Sequence, residues 1–229
     1  MRYLPQQKIL FQYIPRTGGH WVKDAMVKLD IDNQALKRQA MFMPHGHCLL
    51  GHYPMLKRIG IKSIFTFVRH PVAYYESVWK WLSANLTPNN NRFRRLMRLW
   101  RWHPFKSAVF YYNADFNTWV NRLLDNDPLW YTRMVESYVG PPGGEFVDFI
   151  GRTETLKDDL LRAFTVMGCG EIVVKKIHLL TDKKINNIDQ TIVWQPEVKS
   201  RLVESERLVI SRFYGRHINR RLYFRLSAR

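Results

Sequence analysis

Acidic residues and cysteines are scarce in this chain, and long apolar runs are missing from it. Among 229 residues, 19 Asp and Glu face 36 Lys and Arg, a formal charge of +17. Such a surplus predicts an anionic partner without saying which: nucleic acid, an acidic membrane surface, a phosphorylated cofactor and a sulfated or carboxylated glycan all fit. Two cysteines, Cys48 and Cys169, exclude a disulfide framework and favour a reducing compartment. No apolar run approaches the ~18 residues that a membrane span needs. The opening MRYLPQQKILFQYI is interrupted by Pro5, Gln6, Gln7 and Lys8 and does not read as a signal peptide, so a cytoplasmic protein is expected. Repeats, low-complexity tracts and Ser/Gly linkers are also missing, and one domain over 1–229 is the expectation. What is present excludes wholesale disorder: 46% hydrophobic and 14% aromatic residues.

The basic residues are unevenly placed. Residues 92–106 (RFRRLMRLWRWHPFK) hold six Lys and Arg and no acid, and residues 207–229 hold seven arginines and no acid. Each reads either as a solvated face or frayed end, or as part of an electropositive wall. In the first segment Trp100 and Trp102 interleave with Arg98 and Arg101, a mixture suited to stacking on sugars or bases.

The periodicity alternates. Residues 8–14 (KILFQYI) read as a buried strand, and HWVKDAMVKL, with apolar Trp21, Val22, Ala25, Met26 and Leu29, as a helix. Residues 63–68 (SIFTFV) form a second strand, followed from Pro71 through Trp81 by a helix with proline in its first turn. Residues 114–139 read as helical with a break at 125–128, and 141–144 (PPGG) as a turn. The pattern then predicts a strand at 146–150, a helix at 153–167, a strand at 171–177 (EIVVKKI) and a helix at 196–214. Strands alternating with helices predict an α/β fold, a parallel sheet covered by helices on both faces, with ligands beyond the carboxyl ends of the strands.

Two motifs fall at those ends. In Pro15-Arg16-Thr17-Gly18-Gly19-His20, two glycines between strand and helix let backbone N–H groups face an anion at the positive end of the helix dipole. No Lys-Ser/Thr pair follows Gly19, so the Mg²⁺-nucleotide pattern of a P-loop kinase is lacking and no metal is expected. Alone, this motif equally suits an ordinary tight turn. In the second motif Arg69 closes a strand and Ser77 lies eight residues on, about two turns into the helix. An Arg fork and a hydroxyl suit one anion, although a strand-end Arg by itself also suits a surface salt bridge.

Together, PRTGGHW and FTFVRHPVAYYESVW resemble the two cofactor signatures of sulfotransferases that use 3′-phosphoadenosine-5′-phosphosulfate (PAPS). The resemblance covers residues 8–84 strongly and 146–214 weakly, the latter through FIGRTETLKDDLLRAF, similar to the family's Gly-x-x-Glu element. Residues 85–145 carry no family signature and are expected to be an acceptor-side insertion. The resemblance implies a P-loop nucleoside-triphosphate-hydrolase-like fold. It implies that Arg16, Thr17, Gly18, Gly19 and His20 hold the 5′-phosphosulfate, that Arg69 and Ser77 hold the 3′-phosphate, and that Trp21 packs on adenine. Two positions depart from the pattern: Arg16 stands where Lys is usual, and His20 where Ser or Thr is. Arg stays protonated and stabilises charge without donating a proton, whereas protonation of His20 would make cofactor binding pH-sensitive.

Transfer to a hydroxyl needs a base within reach of the acceptor proton. The stretch MPHGHCLLGHYP holds His45, His47 and His52. Its His-Gly-His element resembles that of heparan and uronyl 2-O-sulfotransferases, which implies His47 as the base and His45 as its neighbour. A metal pair, ordinary loop histidines and His52 as the base stay open, as do the carboxylates Glu76 and Glu154. The reading is a PAPS-dependent sulfotransferase that releases 3′,5′-adenosine bisphosphate (PAP) and acts on a hydroxyl-bearing acceptor, with an anionic or glycan acceptor suggested by 92–106. The alternative is a basic nucleic-acid-binding protein on a decayed P-loop-like fold.

Overall fold

A computed structural model of the chain describes residues 2–4, 8–28, 56, 58, 60–86, 105–180 and 190–215. In chain order the elements are β1 (Arg2–Leu4), β2 (Ile9–Phe11), α1 (Gly19–Lys28), β3 (Ser63–Val68), α2 (Pro71–Asn85), α3 (Lys106–Phe110), α4 (Phe116–Asn126) and α5 (Trp130–Val139). There follow β4 (Phe149–Arg152), a 3-10 turn (Thr153–Thr155), α6 (Leu156–Val166), α7 (Glu171–His178), α8 (Pro196–Ser205) and α9 (Arg207–Tyr214). They group into two compact units: one within Met1–Arg69 and Val135–Ile185, the other within His70–Met134 and Asn186–Gly215.

The first unit contains the sheet, ordered β1-β2-β3-β4, in which β2, β3 and β4 are parallel and β1 is an antiparallel edge. Alternation along each strand sorts the side chains. Ile9, Phe11, Phe65, Phe67 and Phe149 form one cluster with Val22, Ala25 and Met26 of α1, Leu160, Ala163 and Phe164 of α6, and Ile177 of α7. On the opposite face Leu10, Ile64, Val68 and Ile150 are buried as well. There the Gln12 amide donates to the Tyr138 carbonyl of α5 at 2.8 Å. The α/β class with a parallel sheet is thus present, as its near-continuous apolar strands predict.

Three details correct the sequence reading. EIVVKKI is a helix: Glu171 in its first turn and Lys175, Lys176 and His178 in its last complement the helix dipole, and Glu171 pairs with Lys175 at i,i+4. The strand expected at 146–150 pairs instead over 149–152, running through Gly151. A Cβ at Gly151 would lie 2.5 Å from the Phe67 ring and 2.9 Å from Cβ of Asp159, so the glycine admits α6 close to the sheet and does not end the strand. Thirdly, the helix expected at 196–214 is broken at Glu206.

The second unit is helical and aromatic. Pro71 opens α2 at N1, and Tyr74, Tyr75, Val78, Trp79 and Leu82 bury one side of it. Tyr74 stacks on Tyr131 with centroids 4.0 Å apart, Tyr75 meets Trp130 edge-on, and Trp79 meets Phe116. At its centre the Glu206 side chain is fully buried and accepts four hydrogen bonds. They come from the Tyr75 hydroxyl (2.8 Å), the Tyr131 and Thr132 amides (3.1 and 2.9 Å) and the Thr132 hydroxyl (2.7 Å). The break between α8 and α9 therefore delivers a carboxylate to the N-terminal turn of α5. Asn117 pins residues 193–195 by donating to the Val193 carbonyl and accepting from the Gln195 amide, each at 3.0 Å.

Candidate functional site

The turn from β2 into α1 lies at the carboxyl end of the parallel strands, where an open α/β sheet places its ligands. Its geometry is set by Arg16, whose φ of +66° is in the left-handed region. For a residue with a Cβ that conformation costs about 1–2 kcal/mol and persists only where neighbours impose it. Both flanking groups are held: the Arg16 backbone hydrogen-bonds the Tyr13 hydroxyl, and the Arg69 guanidinium donates to the Arg16 carbonyl over 3.4 Å. The ends of the two sequence motifs, Arg16 and Arg69, thus touch within the first unit.

The rest of the turn is tightly fitted. Thr17 is buried and its hydroxyl donates to the Ile14 carbonyl at 2.8 Å, which leaves its backbone rather than its side chain to face a ligand. Gly18 is left-handed at φ +80°. Gly19 lies under the Tyr13 ring, where a Cβ would sit 1.9 Å from Cδ2 of the tyrosine. Helix bonding begins with the Val22 amide donating to the Gly18 carbonyl at 3.2 Å. The amides ahead of it have no acceptor within the helix by construction, and they carry the positive end of its dipole. No acidic residue stands in that first turn.

Charge gathers around the turn. His20 is exposed and edge-on to Tyr13. Partial desolvation, then the positive charges of Lys23 and Arg16, hold its pKa below the usual imidazole value. Burial raises the Tyr13 phenol above its usual pKa, against the opposing pull of the Arg16 backbone and charge. The Lys23 ammonium lies over the Tyr13 ring, 4.3 Å from its centroid. Beside the turn, the Thr153 hydroxyl ties the start of the 3-10 turn to the Val68 carbonyl at 2.9 Å. Asp159 accepts from the Arg152 amide at 2.8 Å and the Thr155 hydroxyl at 2.7 Å, anchoring the entry to α6.

The remaining sequence candidates are placed as follows. Trp21 is half-buried and packs against the core cluster of the first unit. Ser77 is buried on α2 in the second unit. Glu76 accepts the Trp194 indole N–H at 2.7 Å, and Glu154 is exposed in the 3-10 turn before α6. His45, His47, His52 and Cys48 lie outside the described residues, as do 92–104 of the Trp/Arg segment and 216–229 of the tail. Sequence reasoning passed over Tyr13 and Lys23. Tyr13 was hidden inside an apolar run, whereas Lys23 carried a usable signal, standing three and four residues beyond His20 and Gly19 and hence on their face of the helix.

A model of the Sulfotransferase family matches residues 1–223. No curated protein matches the chain, and no solved structure does.

Proposed function

The chain belongs to the sulfotransferase family, and we propose that the sulfuryl group it transfers comes from PAPS and goes to an acceptor hydroxyl. It is a transferase whose general reaction is sulfuryl transfer. The observation that carries the finer reading is the β2–α1 turn: a left-handed Arg16 whose carbonyl meets the Arg69 guanidinium, ahead of a helix with no acid in its first turn. That arrangement fits a donor with two anionic ends, because Arg16 and the helix-start amides can meet one of them and Arg69 the other with charge-assisted bonds.

In this reading the loop from Arg16 to His20 binds the 5′-phosphosulfate and Arg69 meets the 3′-phosphate. The bond from sulfur to the bridging phosphate oxygen breaks as the bond from sulfur to the acceptor oxygen forms. Arg16, permanently protonated, stabilises the charge growing on the leaving oxygen. His47 takes the acceptor proton, PAP departs, and the sulfate ester is left on the acceptor. The interleaved Trp and Arg residues within 92–106 favour an anionic or carbohydrate acceptor.

The test is calorimetric titration of the full chain with PAP and with 5′-AMP, without Mg²⁺. PAP is expected to bind at least tenfold more tightly, since a charge-assisted contact to its extra phosphate is worth roughly 1.5–3 kcal/mol. Equal affinities overturn the assignment of Arg69. With labelled PAPS and a panel of glycan acceptors, His47→Ala is expected to lower turnover by about 10²–10⁴-fold; full transfer by that variant, with transfer abolished in His52→Ala, moves the base to His52.

A further inference from the structure

Lys23 stands on α1 four residues after Gly19 and three after His20, so the three share one face of the helix. Helical side chains lean toward the N-terminus, which carries the Lys23 stem back over the turn that precedes it. Its ammonium is seated 4.3 Å from the centroid of the Tyr13 ring. That ring is fixed from two sides. Gly19 approaches too closely for a Cβ to fit, and the phenol oxygen is hydrogen-bonded by the Arg16 backbone. A rigid aromatic face thus holds a flexible cation at the N-terminal end of the helix, where an attraction to the ring quadrupole offsets part of its lost hydration. The pKa of His20 is depressed first by desolvation and then by Lys23 and Arg16, which both repel its protonated form.

We propose that Lys23 is a donor-binding residue: seated on Tyr13, it adds a permanent positive charge, beside that of Arg16 and next to the His20 imidazole, for the anion held by the β2–α1 turn. Like-charged groups gathered at one place raise one another's energy, and a multiply charged anion relieves all of them at once. Tyr13 acts through Lys23 and Arg16 and is a positioning residue. The inference rests on the donor-site reading above and deepens it.

The experiment measures PAP affinity of the full chain by calorimetry, and the His20 titration by NMR, in wild type, Lys23→Met and Lys23→Arg. Lys23→Met keeps the stem and removes the charge. It is expected to weaken PAP about five- to twentyfold, in line with loss of a charge-assisted contact, and to move the His20 titration to higher pH. Lys23→Arg is expected to restore PAP affinity to within about threefold of wild type, since a guanidinium also stacks on an aromatic face, and to leave His20 near its wild-type titration. Wild-type affinity in Lys23→Met overturns the inference while leaving the donor reading intact. An equal loss in both variants also overturns it, since putting the charge back would then restore nothing. If wild type binds no PAP, the donor reading fails and this inference with it.

Discussion

The helices α1 and α5 meet negative charge at their N-termini in opposite ways. In the second unit the chain supplies its own anion: the buried Glu206 carboxylate takes the Tyr131 and Thr132 amides of α5, the Thr132 hydroxyl and the Tyr75 hydroxyl. In the first unit the turn into α1 carries no acid and is ringed by Arg16, His20 and Lys23. The physics of the helix end is the same, a few amides and a positive dipole end. What differs is whether the sequence fills the position. A carboxylate built into the fold makes a structural joint, and a basic cluster without one is where the proposed donor site lies.

Removing the built-in anion is the severest way to break this contrast. Glu206→Ala leaves two amides and two hydroxyls buried beneath α5 with no acceptor, and each such group costs about 1–3 kcal/mol. The expected loss of stability is about 3–5 kcal/mol after local relaxation, read as the urea midpoint of the full chain. Glu206→Gln, which keeps an acceptor oxygen, is expected to lose clearly less. A wild-type midpoint in the alanine variant would mean that water replaces the carboxylate and that the joint contributes little.

The same contrast explains what was legible in the sequence. The sheet strands announced themselves because both faces are buried, so that ILF and SIFTFV read as near-continuous apolar runs. The glycines and arginines at their ends could be placed by position alone, since ligands of such sheets gather there. The joint at Glu206 could not, because nothing in PEVKSRLVESERLVISRFY distinguishes a buried acid from the solvated ones beside it. It is defined by α5, some 75 residues earlier in the chain. EIVVKKI misled because three adjacent β-branched residues outweighed the end charges that mark a helix. Tyr13 was read as one more strand residue, although its ring and hydroxyl shape the turn that follows.

A subtler break separates fold from function within the turn. Arg16→Gly relieves the left-handed strain at φ +66° but deletes a guanidinium. Relief of strain, offset by the extra chain entropy of glycine, is expected to raise the stability of the ligand-free protein by about 0.5–1 kcal/mol. PAP affinity is expected to fall at least tenfold for want of a charge-assisted contact. Thermal melting without ligand and titration with PAP should therefore move in opposite directions. A variant that melts earlier would show that the Arg16 side chain holds the turn together more strongly than its backbone strain pulls it apart.

The smallest expected effect belongs to His20, and it tests whether the turn responds to pH as a ligand site should. Desolvation, Lys23 and Arg16 lower its pKa in the free protein, which disfavours the imidazolium there. A bound anion favours the protonated ring and raises that pKa, so binding takes up protons. The contribution of His20 is fully present below its lowered free-state pKa. It disappears as pH rises through the higher value of the complex, and above that value it is flat. Since His20 is exposed, screening limits the gain to about two- to fivefold in affinity. The phosphates of PAP work against it, because their second ionisation near pH 6 adds charge as pH rises. The informative quantity is therefore the ratio of wild type to His20→Asn, a variant that keeps a donor and does not titrate. Calorimetry from pH 5.5 to 8 is expected to show this ratio falling with pH, with proton uptake in wild type exceeding that of the variant. Parallel profiles for the two proteins would place His20 outside the site and leave Arg16 and Lys23 as its cations.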